Sequence, residues 1–112
     1  RRQIAARYRR EISNPAIQLP QLADPNHHVW HLFVMQCADR SGLQQHLTAA
    51  GIQTLIHYPI PPHQQQAYPQ WNALSLPITE RIHQQVLSLP IGPTMTDDEV
   101  SQVISAINNF MR

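Results

Sequence analysis

The chain has 112 residues, a length that fits one domain with one modest core and excludes a large enzyme with a deep pocket of its own. Its apolar fraction of 42% is ordinary, its charged fraction of 13% is low against a typical ~25%, and its formal net charge of +1 excludes broad electrostatic attraction to nucleic acid. All eight basic residues are arginine, so no lysine amine is present to form a Schiff base with a carbonyl compound.

The elements follow in chain order. Residues 1–12 place Ile4, Ala5, Tyr8 and Ile12 on one helical stripe, with Arg1, Arg2, Arg7, Arg9 and Arg10 mostly off it. Those arginines suit a solvated face or contact with another domain. No cap precedes Arg1, so the helix is expected to continue upstream. Asn14-Pro15 ends it, because proline disfavours the helical state for the residue before it. The stretch "AIQLP" suggests a short edge strand, and "QLADPNHH" a loop. His27–Cys37, "HHVWHLFVMQC", reads as a strand covered on much of both faces. Alternation puts Val29, His31, Phe33 and Met35 on one side and Trp30, Leu32, Val34 and Gln36 on the other.

"ADRSGLQQHLTAAG" predicts a helix capped by Asp39 or Ser41, with Leu43, Leu47 and Ala50 on its stripe and Gly51 at its stop. "IQTLIHY" predicts a strand, followed by a proline loop with one helical turn over "HQQQAY". "SLPITERIHQQ" predicts a short helix and "VLSLPIG" a further strand. In "TDDEVSQVISAINNF", Thr96 and Glu99 form a capping box and Asp97 and Asp98 sit at the positive helix end. Val100, Val103, Ile104, Ile107 and Phe110 give the last helix its apolar stripe. The order predicts an α+β (α/β) sandwich: a three-stranded, mainly antiparallel sheet with helices packed on one face.

Few patterns carry chemistry. His27, His28 and His31 lie close together, and His57 and His63 flank the proline loop, but no carboxylate sits at a zinc-like spacing. His31 is expected as a core histidine. Ser41, Ser75 and Ser88 lie in no nucleophile-elbow context. Cys37, the single cysteine, reads as a small buried residue at a strand end and fits a reducing compartment. No run approaches the ~18 apolar residues of a membrane span. The proline loop remains. Pro59, Pro61 and Pro62 each fix a backbone angle, which suits holding His57, Tyr58, His63 and Tyr68 at set positions. Imidazoles and phenols hydrogen-bond hydroxyl, carbonyl and phosphate oxygens, as a sugar or nucleotide ligand would require. A purely structural crossover is the alternative.

The pieces "HLFV", "AGIQTLIHYPIPPHQQQAY", "LPITE" and "VLSLPIGPTMTDDEV", in that order, resemble the C-terminal small domain of the DegT/DnrJ/EryC1/StrS sugar aminotransferases. The resemblance covers nearly the whole chain, and the "IHYPIPPHQQQAY" form is similar to enzymes that aminate 3-keto, 6-deoxy nucleotide-linked sugars. It implies that residues 1–13 are the end of an interdomain helix and 14–112 the small domain. The large domain, which binds pyridoxal phosphate (PLP), is then absent from this sequence. It further implies a cytoplasmic homodimer using a nucleotide-linked keto sugar and an amino donor such as glutamate. The setting implied is deoxysugar or cell-surface polysaccharide (lipopolysaccharide) biosynthesis, with no nucleic acid or membrane partner. By this resemblance His57, Tyr58, His63, Tyr68 and the lesser candidate Thr54 are substrate-side residues, and His31 is structural. None is implied to be catalytic, cofactor-binding or metal-binding. The chain is then expected to be inactive alone, with a stand-alone nucleotide-sugar binding module as the alternative.

Overall fold

The computed structural model describes residues 1–21, 30–57, 60–67 and 69–111. Helix α1 spans Arg2–Glu11 and buries Ala5 and Tyr8, with Ile12 just beyond its end. Arg7 is neither simply solvated nor aimed away from the domain. It forms an ion pair with Glu11 (2.7 Å), and it donates to Ser101 Oγ (3.0 Å) and to the Asp97 carbonyl (3.2 Å). The Arg7 guanidinium also holds the Glu11 carboxyl below the usual carboxylate range. Beyond α1, the Asn14 side-chain amide donates to the carbonyls of Ile107 (2.8 Å) and Phe110 (2.7 Å). The turn after the first helix therefore satisfies acceptors at the end of the last one.

Strand β1, Ile17–Gln18, pairs antiparallel with β2, Phe33–Cys37, matching Ile17 with Cys37. On its other side β2 pairs antiparallel with β3, Val86–Leu89, matching Phe33 with Leu89 and Met35 with Leu87. The sheet order is β1-β2-β3. Phe33, Met35, Leu87 and Leu89 share one face and are buried. They join a core with Tyr8 of α1, Leu43 and Leu47 of α2 (Arg40–Ala49), and Val100, Val103, Ile104 and Ile107 of the last helix.

The strand expected over His27–Cys37 is shorter. Its beginning lies outside the described residues, and Trp30 has φ 54°. That left-handed backbone breaks the alternation. Trp30 consequently packs on the same side as Phe33, stacking with ring centroids 5.3 Å apart, instead of on the opposite face. His31 is exposed, which corrects its reading as a core histidine.

Asp39 caps α2 by accepting from the Gly42 N–H, and Gly51 terminates it with φ 81°. Ala50 is exposed, contrary to its place on the expected stripe, because the helix has ended before it. The run 52–57 keeps an extended alternation, with Ile52 buried, Ile56 partly buried and Leu55 exposed. It is not a full strand: a single bridge joins Leu55 to Ser88. The reason lies in β3. Continuing that register would pair residue 53 with Pro90 and residue 57 with Val86. Pro90 has no N–H, and the Val86 N–H already donates to the Ile82 carbonyl near the end of helix α3 (Pro77–Gln85).

The helical turn expected over residues 63–68 is displaced: the proline loop forms a 3-10 turn at Pro62–Gln64 and a second at Pro69–Trp71. The Asn72 amide ties them together by donating to the His63 (3.0 Å) and Gln65 (3.3 Å) carbonyls. Helix α3, Pro77–Gln85, starts on a proline suited to the first helical position. Helix α4, Asp97–Asn108, carries both halves of the expected capping box.

Candidate functional site

A cleft of about 800 Å³ opens between the 52–57 segment, the start of β2 and the end of β3. His31, Thr54, His57, Ser88 and Pro90 are among its lining residues. His57 follows two residues after the bridged Leu55, so it falls on the same side of the extended chain. Its Nδ1 lies 2.8 Å from Ser88 Oγ. Thr54 Oγ1 accepts from the Gln44 amide at 3.3 Å, which ties the cleft floor to α2.

Pro90 is held from behind. The Tyr8 hydroxyl donates to its carbonyl at 2.6 Å, and burial pushes the Tyr8 phenol well above its ordinary range. Tyr8 thus has an apolar body in the core and a polar tip that sets one wall of the cleft.

Among the described residues lining the cleft, no carboxylate, arginine or cysteine occurs. The polar groups are imidazoles, hydroxyls and amides. Such a set binds and orients oxygen-rich ligands by hydrogen bonds. It holds no paired carboxylates for acid–base work, and no described cluster of three His, Cys, Asp or Glu side chains could hold a metal ion.

Of the residues expected at the site, the structure brings His57 and Thr54 to this cleft. His63 lies elsewhere, 4% exposed, and is not among the described lining residues. Its Nε2 is 3.5 Å from Glu80 Oε1, too long for a good hydrogen bond, and neither ring nitrogen has a hydrogen-bond partner among the described residues. Glu80 also accepts from the Leu76 N–H at the start of α3 (3.1 Å). His63 therefore packs inside the loop, against the helix that follows. Tyr58 and Tyr68 lie outside the described residues. His31, read as structural, stands exposed at the cleft rim. Sequence reasoning weighed Ser88 only as a nucleophile and set it aside. The available signal was one hydroxyl inside the apolar run "VLSLP", where a buried polar group needs a partner.

Comparisons with known proteins bear on this site. The model of the DegT/DnrJ/EryC1/StrS aminotransferase family matches residues 1–108. The dTDP-3-amino-3,6-dideoxy-alpha-D-galactopyranose transaminase of Aneurinibacillus thermoaerophilus is 52% identical over 110 residues, covering 98% of this chain and 30% of that protein. The dTDP-3-amino-3,4,6-trideoxy-alpha-D-glucose transaminase of Streptomyces venezuelae is 41% identical over 113 residues, 96% of this chain and 29% of that protein. Among solved structures, DesV of S. venezuelae superposes with a TM-score of 0.87 at 43% identity, covering 96% of this chain and 30% of that one. NtdA of Bacillus subtilis, with bound cofactor PMP, gives 0.84 at 33% identity, covering 96% and 26%. The chain spans about 30% of the length of the curated relatives it matches.

Proposed function

The chain belongs to the DegT/DnrJ/EryC1/StrS aminotransferase family, and from that membership we propose that it is the C-terminal small domain of an aminotransferase acting on a nucleotide-linked keto sugar. Residues 1–13 are the end of the interdomain helix and 14–112 the small domain. The parent enzyme works in the cytoplasm as a homodimer, takes its amino group from a donor such as glutamate, and serves deoxysugar or cell-surface polysaccharide synthesis. Within it, His57 and Thr54 meet the substrate from the cleft, and His63 orders the proline loop from inside. Tyr58 and Tyr68 belong to the same substrate-side loop.

One observation carries the division of labour. The family depends on PLP, yet this sequence contains no lysine. Its residues do not fit that cofactor, which needs an amine for covalent attachment. The chain supplies one wall of a site and the reacting groups come from elsewhere. A wall alone gives up the positioning that the rest of the site provides.

A second reading, a nucleotide-sugar binding module without catalysis, draws on the cleft being built within this chain. Titration calorimetry of the chain with thymidine- and uridine-linked sugars separates the two. The small-domain reading predicts no heat of binding at micromolar ligand. Micromolar binding would favour the module.

A further inference from the structure

We infer that Glu80 is a positioning residue for the proline loop: its two carboxylate oxygens clasp the turn at Pro62–Gln64 to the start of α3. Oε1 accepts from the Gln64 side-chain amide at 2.5 Å, and Oε2 accepts from the Leu76 N–H at 3.1 Å. His63 of the same turn lies beside the first oxygen, 4% exposed, with Nε2 3.5 Å from Oε1. The turn is therefore packed down at the carboxylate and does not merely pass near it. Among the seven acidic residues of the sequence, Glu80 is the one between Asp39 and Asp97.

Local chemistry explains why a carboxylate serves at this position. Leu76 has no side-chain oxygen with which to cap α3, and Pro77 brings no N–H to the first turn. Glu80, one turn into the helix, donates its own N–H to the Leu76 carbonyl (2.9 Å) and reaches back to the Leu76 N–H. That engages Oε2 and leaves Oε1 for the loop. An ionised carboxylate only accepts, so Gln64 must present its NH2 group and not its carbonyl. The contact has one direction. Gln65 and Asn72 donate to the loop carbonyls of Ile60, His63 and Gln65, which shapes the loop from within. Glu80 ties that shaped loop to a helix.

The loop begins directly after His57 of the cleft, so its placement sets what stands beside the cleft. Glu80 is not among the described lining residues of that cleft, and it acts through Gln64 and the turn. The functional consequence rests on the reading above, in which the loop is a substrate-side wall: the clasp then holds that wall in place without touching the ligand. The clasp itself stands on the geometry of this chain alone.

The test is backbone amide hydrogen exchange of the nitrogen-15-labelled chain at about pH 7, each rate taken relative to that of the unstructured sequence. The reporters are the amide of residue 64, which donates to the Pro61 carbonyl within the turn (3.0 Å), and the Leu76 amide. Glu80→Ala should speed exchange at both, roughly threefold or more. Gln64→Glu sets one carboxylate against another and should speed exchange at residue 64 by a similar factor. Gln64→Glu combined with Glu80→Gln reverses donor and acceptor and should return residue 64 toward the wild-type rate, which a general loss of packing would not do. Unchanged exchange at Gln64 in Glu80→Ala would overturn the inference, as would a double variant that exchanges as fast as Gln64→Glu alone. If Glu80→Ala fails to fold, Gln64→Glu, a change at an exposed position, and the double variant still decide. No ligand is present, so the outcome is independent of sugar recognition, which the calorimetry addresses separately.

Discussion

The ring of Tyr8 is fully buried while its hydroxyl donates to Pro90 at the cleft wall, so one residue links the core to the site. Burial raises the phenol's folded-state value above the unfolded value of about 10. The stability this contributes is fully present below about pH 10 and is lost as pH rises further, because the unfolded chain ionises first. Tyr8→Phe should cost about 1 kcal/mol at neutral pH, since the Pro90 carbonyl loses its donor. It should also flatten the fall in Tm between pH 9 and 11. Thermal melts across that range check this, and equal slopes for both proteins would contradict it. The burial of Tyr8 was legible in the helical stripe, but its hydroxyl's partner was not, because Pro90 lies 82 residues away. Trp30 was misread for a local reason. A positive φ at a large residue breaks the two-residue period, and nothing in the letters announces it. His63 was legible as a loop residue. Its burial beside Glu80 depends on how α3 folds back, which spacing does not encode.

Helices were the most readable elements, because caps and stripes are written within a few neighbouring residues. The Thr96–Glu99 box and the stripe of α4 fall where the sequence put them. Thr96 Oγ1 accepts from the Glu99 N–H at 3.2 Å, and Glu99 Oε1 accepts from the Thr96 N–H at 3.0 Å. Thr96→Ala removes the first of these and should lower stability by about 1 kcal/mol, read as a shift in the urea midpoint with an unchanged slope. A shift indistinguishable from zero would mean that tertiary packing alone fixes the start of α4. Strands were harder. Residues 52–57 have the composition and alternation of a strand, yet they make one bridge, because the donors opposite are missing at Pro90 and committed at Val86. Strand pairing is a property of two segments, and Leu55 meets its partner only at Ser88, far along the chain. The same limit hid the contacts of Ser88, which appear only when Leu55 and His57 lie against it.

At the scale of the whole molecule, burial is uneven. The helices and sheet enclose a continuous core, while Leu55, Ile60, Trp71, Leu74, Leu76, Ile78, Ile82 and Met111 are exposed among the described residues. All but Met111 fall between the bridge and the end of α3, on the stretch that carries the proline loop. Exposed apolar side chains gathered in one stretch are uncommon on a surface that meets only water. This is the kind of surface that the proposed small-domain role calls for, in which the site is completed against other protein surface. The fold class was legible because hydrophobic period and element order determine it. The cleft was only half legible, since its walls come from four separate stretches of sequence. The most direct measurement is amino transfer to a dTDP-linked 3-keto sugar, with glutamate and PLP supplied. It is made on this chain alone and on the Aneurinibacillus transaminase with its matching 110-residue segment replaced by this chain. The account predicts no transfer by the chain alone and transfer by the hybrid. Amino transfer by the isolated chain, or a folded hybrid that binds PLP but transfers nothing, would contradict it.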